Sequence, residues 1–142
     1  MKKISVLFVC LGNICRSPAA EAIFIRLLER NGLTDAFIVD SAGTGSWHIG
    51  KKADSRMRIA AERRDINILS RARQITSKDF DEFNYILAMD DSNFKNIQDL
   101  KNRTASTGFA AIKKIQDFRS VFNDQEVPDP YFGGDEGFDY VL

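Results

Sequence analysis

Cysteine occurs only at positions 10 and 15 and histidine only at position 48 of the 142 residues. So few soft ligands cannot fill an ordinary four-coordinate zinc site, and two thiols five positions apart make no disulfide framework of the secreted kind. Net charge is also lacking, with 20 basic and 20 acidic residues, which argues against a general nucleic-acid binder. Long apolar runs are missing too. The opening Met1-Lys2-Lys3 leads into a short apolar stretch that meets Arg16 before any small-residue cleavage pattern, too brief for a signal peptide or a membrane span. A cytoplasmic protein with reduced thiols, no metal and no membrane partner is therefore expected. The charge that exists is unevenly spread: residues 51–73 hold eight Lys or Arg against three acids, and residues 117–142 seven acids against one Arg. A basic segment of this kind favours acidic substrates.

What is present is one domain's worth of alternating strand and helix. Ile4 to Val9 is a near-continuous run of β-formers, suited to a parallel strand covered on both faces, and Leu11-Gly12-Asn13 ends it. Ser17-Pro18 reads as an N-cap with proline in the first turn, followed by Ala20, Ile23, Phe24, Leu27 and Leu28 at helical spacing until Asn31-Gly32. Phe37-Ile38-Val39 is a second short strand, and strand, helix, strand implies a right-handed parallel crossover. Asp54 or Ser55 caps a helix to about Arg64 with Met57, Ala60 and Ala61 inward, and Thr76 to Asp79 marks another helix start. Tyr85 to Met89 is a third buried strand, and Asp90-Asp91-Ser92 opens a helix to about Leu100. Ile112, Ile115 and Phe118 fit helical better than strand periodicity. The order of elements makes the chain α/β.

Ligands of open α/β sheets bind beyond the carboxyl ends of the strands, where residues 10–17 lie. A tight loop entering a helix can turn successive N–H groups on one anion and add the favourable end of the helix dipole. Cys10 and Arg16 bracket that loop. The thiol can sit beneath a tetrahedral oxyanion while the planar guanidinium grips two of its oxygens. With the cup empty, the same donors stabilise a thiolate, and the Ser17 hydroxyl can assist. Taken alone, Cys10 would read as a small buried hydrophobe at a strand end; Cys followed six residues later by Arg and then Ser, between a strand and a helix start, displaces that reading.

Cys10-Leu11-Gly12-Asn13-Ile14-Cys15-Arg16-Ser17 resembles the C-x4-C-R-S signature of the low-molecular-weight protein tyrosine phosphatases. The likeness continues through Ser17-Pro18-Ala19-Ala20-Glu21-Ala22, Asp40-Ser41-Ala42-Gly43-Thr44, Ala72-Arg73-Gln74-Ile75, Met89-Asp90 and Asp129-Pro130-Tyr131. It implies a single domain over residues 1–142, with a four-stranded parallel sheet flanked by helices, the fourth strand near Ile112 to Phe118, and a terminal helix cut short at Phe138 to Leu142. It implies metal-free, cofactor-free hydrolysis of phosphotyrosine proteins or small aryl phosphates. Cys10 would be the nucleophile, Arg16 and the amides of Leu11, Gly12, Asn13, Ile14, Cys15 and Ser17 would hold the phosphate, and Asp129 would be the acid and then the base. Trp47 and Tyr131 would wall the aryl ring, Asn13 and Ser41 would brace the loop, and Cys15 would form a protective, reversible disulfide with Cys10.

Two departures stand out. Relatives carry a histidine just before Ala-Arg-Gln that completes the bracing network, and this chain has Leu69-Ser70-Arg71 there. His48, beside Trp47, suits a rim position better than that of a base. Among other functions, thioredoxin-coupled arsenate reduction needs further downstream cysteines, and none follows Cys15. Arginine-phosphate hydrolysis runs on a similar loop bearing Thr where Ile14 stands. A non-catalytic phosphotyrosine-binding module would have no need of Cys10, Arg16 and Asp129 together.

Overall fold

The computed structural model describes residues 3–115. Strands β1 (Ile4–Cys10), β2 (Phe37–Gly43), β3 (Tyr85–Ala88) and β4 (Ala111–Lys114) form one parallel sheet in the order β2-β1-β3-β4. Between them run helices α1 (Arg16–Arg30), α2 (Ser55–Glu62), the single-turn α3 (Asp79–Glu82) and α4 (Asp91–Arg103). The expected α/β architecture with its four-stranded parallel sheet is therefore present.

β1 is central, so both its faces are covered, and its apolar run divides by the two-residue period of a strand. Leu7 and Val9 join Ile86, Ala88 and Ile97 in one cluster, whereas Val6, Phe8 and Cys10 join Leu87 and Met89 in another. Ala20 and Phe24 of α1 pack on the second cluster, with the Phe24 ring set edge-on to both Phe8 and Phe37. β1 pairs with β2 on one side and β3 on the other. The connection order thus reverses at the carboxyl end of β1, the place where such sheets open a crevice for ligands.

Sequence signals for helix ends are realised at three places. Gly32 adopts φ +66 after α1, the Leu33 N–H reaches Leu28 O at 2.9 Å, and the Gly32 N–H reaches Glu29 O at 3.3 Å. This is the pair of bonds by which a glycine closes a helix. Asp54 caps α2 by accepting the Arg56 N–H, and Asp90 caps α4 by accepting the Asn93 N–H at 2.7 Å.

One expectation is corrected. Ser17 is not the cap of α1: the helix begins at Arg16 with Cys15 in the cap position, and no side chain caps it. Pro18 stands third in the helix, still within the first turn where a missing N–H costs nothing. The fourth strand that the family resemblance implies near Ile112 to Phe118 is present as Ala111–Lys114, which pairs residue for residue with Tyr85–Ala88. Long-range pairing overrides the helical periodicity of Ile112 and Ile115, and Phe118, which completed that pattern, lies outside the described residues.

Candidate active site

The loop from Leu11 to Cys15 joins the end of β1 to the start of α1, and its carbonyls are tied to the scaffold. Thr44 N–H donates to Cys10 O at 2.9 Å, Gly45 N–H to Leu11 O at 2.9 Å and Asp54 N–H to Ile14 O at 2.7 Å. Such bonds turn carbonyl oxygens outward, and a loop whose carbonyls face out can present N–H groups within. Asn13 does so: its N–H points at Cys10 Sγ, 3.3 Å away. Asn13 has φ +57, a left-handed conformation that asparagine tolerates better than most residues. Gly43 lies against the outer side of the loop, where a Cβ would come within 2.8 Å of Leu11 O and 3.1 Å of Asn13 N.

Cys10 is buried, and its sulfur lies 3.0 Å from Ser17 Oγ. The side chain of Asn13 braces the same hydroxyl. Its Nδ2 donates to Ser17 Oγ at 2.8 Å and to Ser41 Oγ at 2.9 Å, while its Oδ1 accepts the Arg73 N–H at 2.9 Å. The single Ser17 hydrogen has two acceptors in reach, Ala42 O at 3.4 Å and the Cys10 sulfur, and a thiolate at Cys10 draws it to sulfur. Ser41 Oγ in turn donates to Glu21 Oε1 at 2.5 Å. In place of the missing histidine, the Glu21 carboxyl closes the network at Ser41, and Ser70 lines the same cleft as Glu21.

Burial raises the Glu21 carboxyl above the ordinary glutamate range, opposed by the Ser41 bond; the Asp40 charge adds to the rise, and the nearby Ser70 hydroxyl and Arg73 charge reduce it. Arg73 is a second hub. Its Nε bonds Asp40 at 3.0 Å, and its two terminal nitrogens take both oxygens of Asp79 at 3.1 Å each. Burial would lower the Arg73 guanidinium, but Asp79 and Asp40 outweigh it and leave it raised. A cation so fixed holds its own backbone N–H on Asn13.

Arg16 is 2% exposed and bonds Asp90 Oδ2 at 2.8 Å. Asp90 therefore serves twice, capping α4 with one oxygen and orienting Arg16 with the other. A buried guanidinium oriented in this way has the planar donor geometry that suits an oxyanion.

The structure brings Cys10, Asn13, Ser17 and Ser41 into one buried hydrogen-bonded assembly, and Arg16, next to Ser17 in the chain, is buried as well. Ile14 and Cys15 are buried with Ala53 and Met57, so their side chains serve packing and their backbone is what the loop can offer. Leu11 is partly exposed and Trp47 strongly so; both line a groove beside Thr44 and Gly45 at the rim. The His48 ring lies against Gly12, where an added Cβ would approach Cδ2 to 3.0 Å, the rim position expected for it. Asp129 and Tyr131 lie outside the described residues. Sequence reasoning missed the roles of Asp90, Glu21 and Gly43. Asp90 alone carried a usable signal, an acid at the carboxyl end of a strand directly before a helix. Among the described residues, no three His, Cys, Asp or Glu side chains cluster as a metal site.

Residues 5–142 match the family model described as low molecular weight phosphotyrosine protein phosphatase. The chain belongs to this family. A low molecular weight phosphotyrosine protein phosphatase of Schizosaccharomyces pombe is 43% identical over 138 residues, covering 96% of this chain and 86% of the relative. The crystal structure of a protein tyrosine phosphatase from Entamoeba histolytica with Hepes in its active site superposes with a TM-score of 0.89 at 45% identity, over 98% of this chain and 87% of the other. A Drosophila arginine phosphatase superposes equally, with a TM-score of 0.89 at 34% identity over 96% of this chain and 87% of that one. Solved phosphatases of this family thus share the fold of this chain.

Proposed function

We propose that the chain hydrolyses phosphotyrosine and other aryl phosphates through a phosphocysteine intermediate. The observation that carries this reading is the convergence of the Asn13 N–H and the Ser17 hydroxyl on Cys10 Sγ, at 3.3 and 3.0 Å. Two donors on one sulfur favour the thiolate, the form that attacks phosphorus. In the first half-reaction the sulfur forms a bond to phosphorus while the bond to the aryl oxygen breaks, and Asp129 gives its proton to the departing oxygen. In the second, Asp129 takes a proton from water, the water oxygen bonds to phosphorus, and the thiolate leaves toward the Ser17 hydroxyl. Arg16 and the loop amides balance the charge on the equatorial oxygens throughout. Asp129 and Tyr131 hold their roles by the family resemblance. Trp47 supplies one apolar wall for the ring, and Cys15, buried and outside any disulfide like Cys10, supplies the partner for a reversible protective disulfide.

Among the described residues no helix is long and apolar enough to cross a membrane. A nucleophile that must stay a thiolate suits a reducing cytoplasmic setting. The likeness to an arginine phosphatase supports a second reading, hydrolysis of phosphoarginine on the same loop. Turnover of para-nitrophenyl phosphate, phosphotyrosine peptide and phosphoarginine peptide in the presence of chelator separates the readings. The expected result is vanadate-sensitive aryl phosphate hydrolysis that Cys10→Ser abolishes and Asp129→Ala slows. Preference for phosphoarginine would reverse the specificity, and binding of phosphopeptide without turnover would leave a recognition module.

A further inference from the structure

We propose that the cleft lined by Lys52, Arg58 and Arg71 is a second recognition site, which holds acidic side chains of a substrate protein a few residues along from its phosphotyrosine. The inference deepens the reading of the chain as a phosphotyrosine hydrolase and rests on it. Residues 51–73 carry eight basic side chains against three acids. Two of those acids are engaged elsewhere, Asp54 with Arg56 and Asp65 with Arg26. The third, Glu62, lines the cleft with the three cations. Among the described residues Lys52, Arg58 and Arg71 take part in no ion pair, so the cleft keeps an excess of positive charge.

Backbone carbonyls, not carboxylates, set these cations in place. Lys52 and Arg71 lie opposite each other in an antiparallel bridge, and Arg71 Nη1 donates to Gly50 O at 3.1 Å. Arg58 Nε donates to Ala53 O at 3.0 Å. A guanidinium held by a carbonyl is oriented without being neutralised, and its planar donors match a carboxylate. The cleft measures about 180 Å³, room for a carboxylate side chain but well below the roughly 300 Å³ at which small-molecule pockets begin. Leu69, 88% exposed, forms an apolar edge beside the cations. A peptide can cover that edge, whereas an inorganic anion makes no use of it.

The cleft is tied to the rim of the cup. Lys51 N–H donates to His48 O at 2.9 Å, Gly50 N–H to Ala72 O at 2.7 Å and Ala72 N–H to Lys51 O at 2.8 Å. The corner that carries Lys52 and Arg71 is therefore a pinned continuation of the rim that holds Trp47 and His48. Its far end is fixed to the phosphate loop by the bond from Asp54 N–H to Ile14 O, and Ala53 packs with Ile14 and Cys15. Lys52 follows Trp47 by five positions, a reach of no more than about 18 Å. An extended peptide leaving the cup spans that distance in about five or six residues. Exposed charge acts over about 8 Å at physiological salt, so the preference is local and sensitive to ionic strength.

The test measures kcat/KM for three phosphotyrosine peptides: one with glutamates three to six positions before the phosphotyrosine, one with glutamates three to six positions after it, and one with glutamines at all those positions. At least one acidic peptide should exceed the neutral one about fivefold in about 50 mM salt, the scale of two or three exposed ion pairs, and the advantage should shrink to less than about twofold in about 0.5 M salt. Lys52→Glu should abolish the advantage and Arg71→Gln should reduce it, while Arg71→Lys, which keeps the charge, should retain most of it. Para-nitrophenyl phosphate turnover should stay within about twofold in all three variants. Equal turnover of the three peptides by the parent, or a preference that Lys52→Glu leaves intact, would overturn the proposal. So would tighter binding to phosphatidylserine vesicles than to either acidic peptide, which would make the cleft a membrane site. If the parent turns over no aryl phosphate, the proposed function falls, and equilibrium binding of the same three peptides decides whether the cleft selects acids.

Discussion

Replacing Asn13 by alanine removes three buried hydrogen bonds at once. They are the amide bonds to Ser17 and Ser41 at 2.8 and 2.9 Å and the bond accepted from the Arg73 N–H at 2.9 Å. At about 1 kcal/mol net each, the three contribute about 3 kcal/mol. Asn13 is 1% exposed, so the partners left behind cannot all find water, which places the figure at the upper end of that scale. Alanine at φ +57 adds a backbone cost of about 1 kcal/mol. Glycine removes the same side chain without that cost, so Asn13→Gly should be the more stable of the two by roughly 1 kcal/mol or less, its greater unfolded-state entropy taking back part of the gain. Urea unfolding of the parent and both variants gives these differences directly. Both should lose at least about tenfold in kcat, since neither braces the Ser17 hydroxyl beside the sulfur. Parent-like stability and turnover in both variants would refute the bracing role of Asn13.

Three further outcomes follow from the same geometry. Asp90→Asn keeps a capping oxygen for α4 but loses the charge on Arg16, so kcat/KM for para-nitrophenyl phosphate should fall about tenfold or more while stability falls by only about 1 kcal/mol; equal activity would dismiss Asp90 as the orienter of Arg16. Gly43→Ala pushes a methyl toward Leu11 O and Asn13 N, backbone atoms of the cup, and should lower kcat severalfold in a steady-state assay. Glu21 binds its proton more tightly folded than unfolded, so its ionisation costs stability as pH rises from its unfolded value through the raised folded one, and the full cost is present above that window. Glu21→Gln should therefore gain in melting temperature relative to the parent between about pH 4 and about pH 7.5, and a constant difference across that range would contradict the shift.

The parts of this molecule that depend on neighbours in sequence could be read from the sequence. β1 is visible as an apolar run, α1 as a stripe, and the end of α1 as Asn31-Gly32, because each is decided by periodicity or by one residue's backbone preference. The cup itself could be read because its thiol, turn, guanidinium and hydroxyl fall within eight consecutive positions. What could not be read depends on distant partners. Ser17 looks like a helix cap until Asn13 and Cys10 claim its hydroxyl. β4 looks helical until β3 offers its edge. Glu21 and Ser41, 20 positions apart, meet only because α1 packs on β2. Asp90 meets Arg16 across 74 positions, which no local pattern announces.

The central claim is that Cys10 carries the phosphoryl group between the two half-reactions. Rapid acid quench of the enzyme during turnover of an aryl phosphate, followed by peptide mass analysis, tests it directly. The account predicts a burst of phenol and one phosphoryl group on the peptide holding Cys10, absent in Cys10→Ser and accumulating in Asp129→Ala. A phosphoryl group on another residue, or parent-rate turnover by Cys10→Ser, would contradict it.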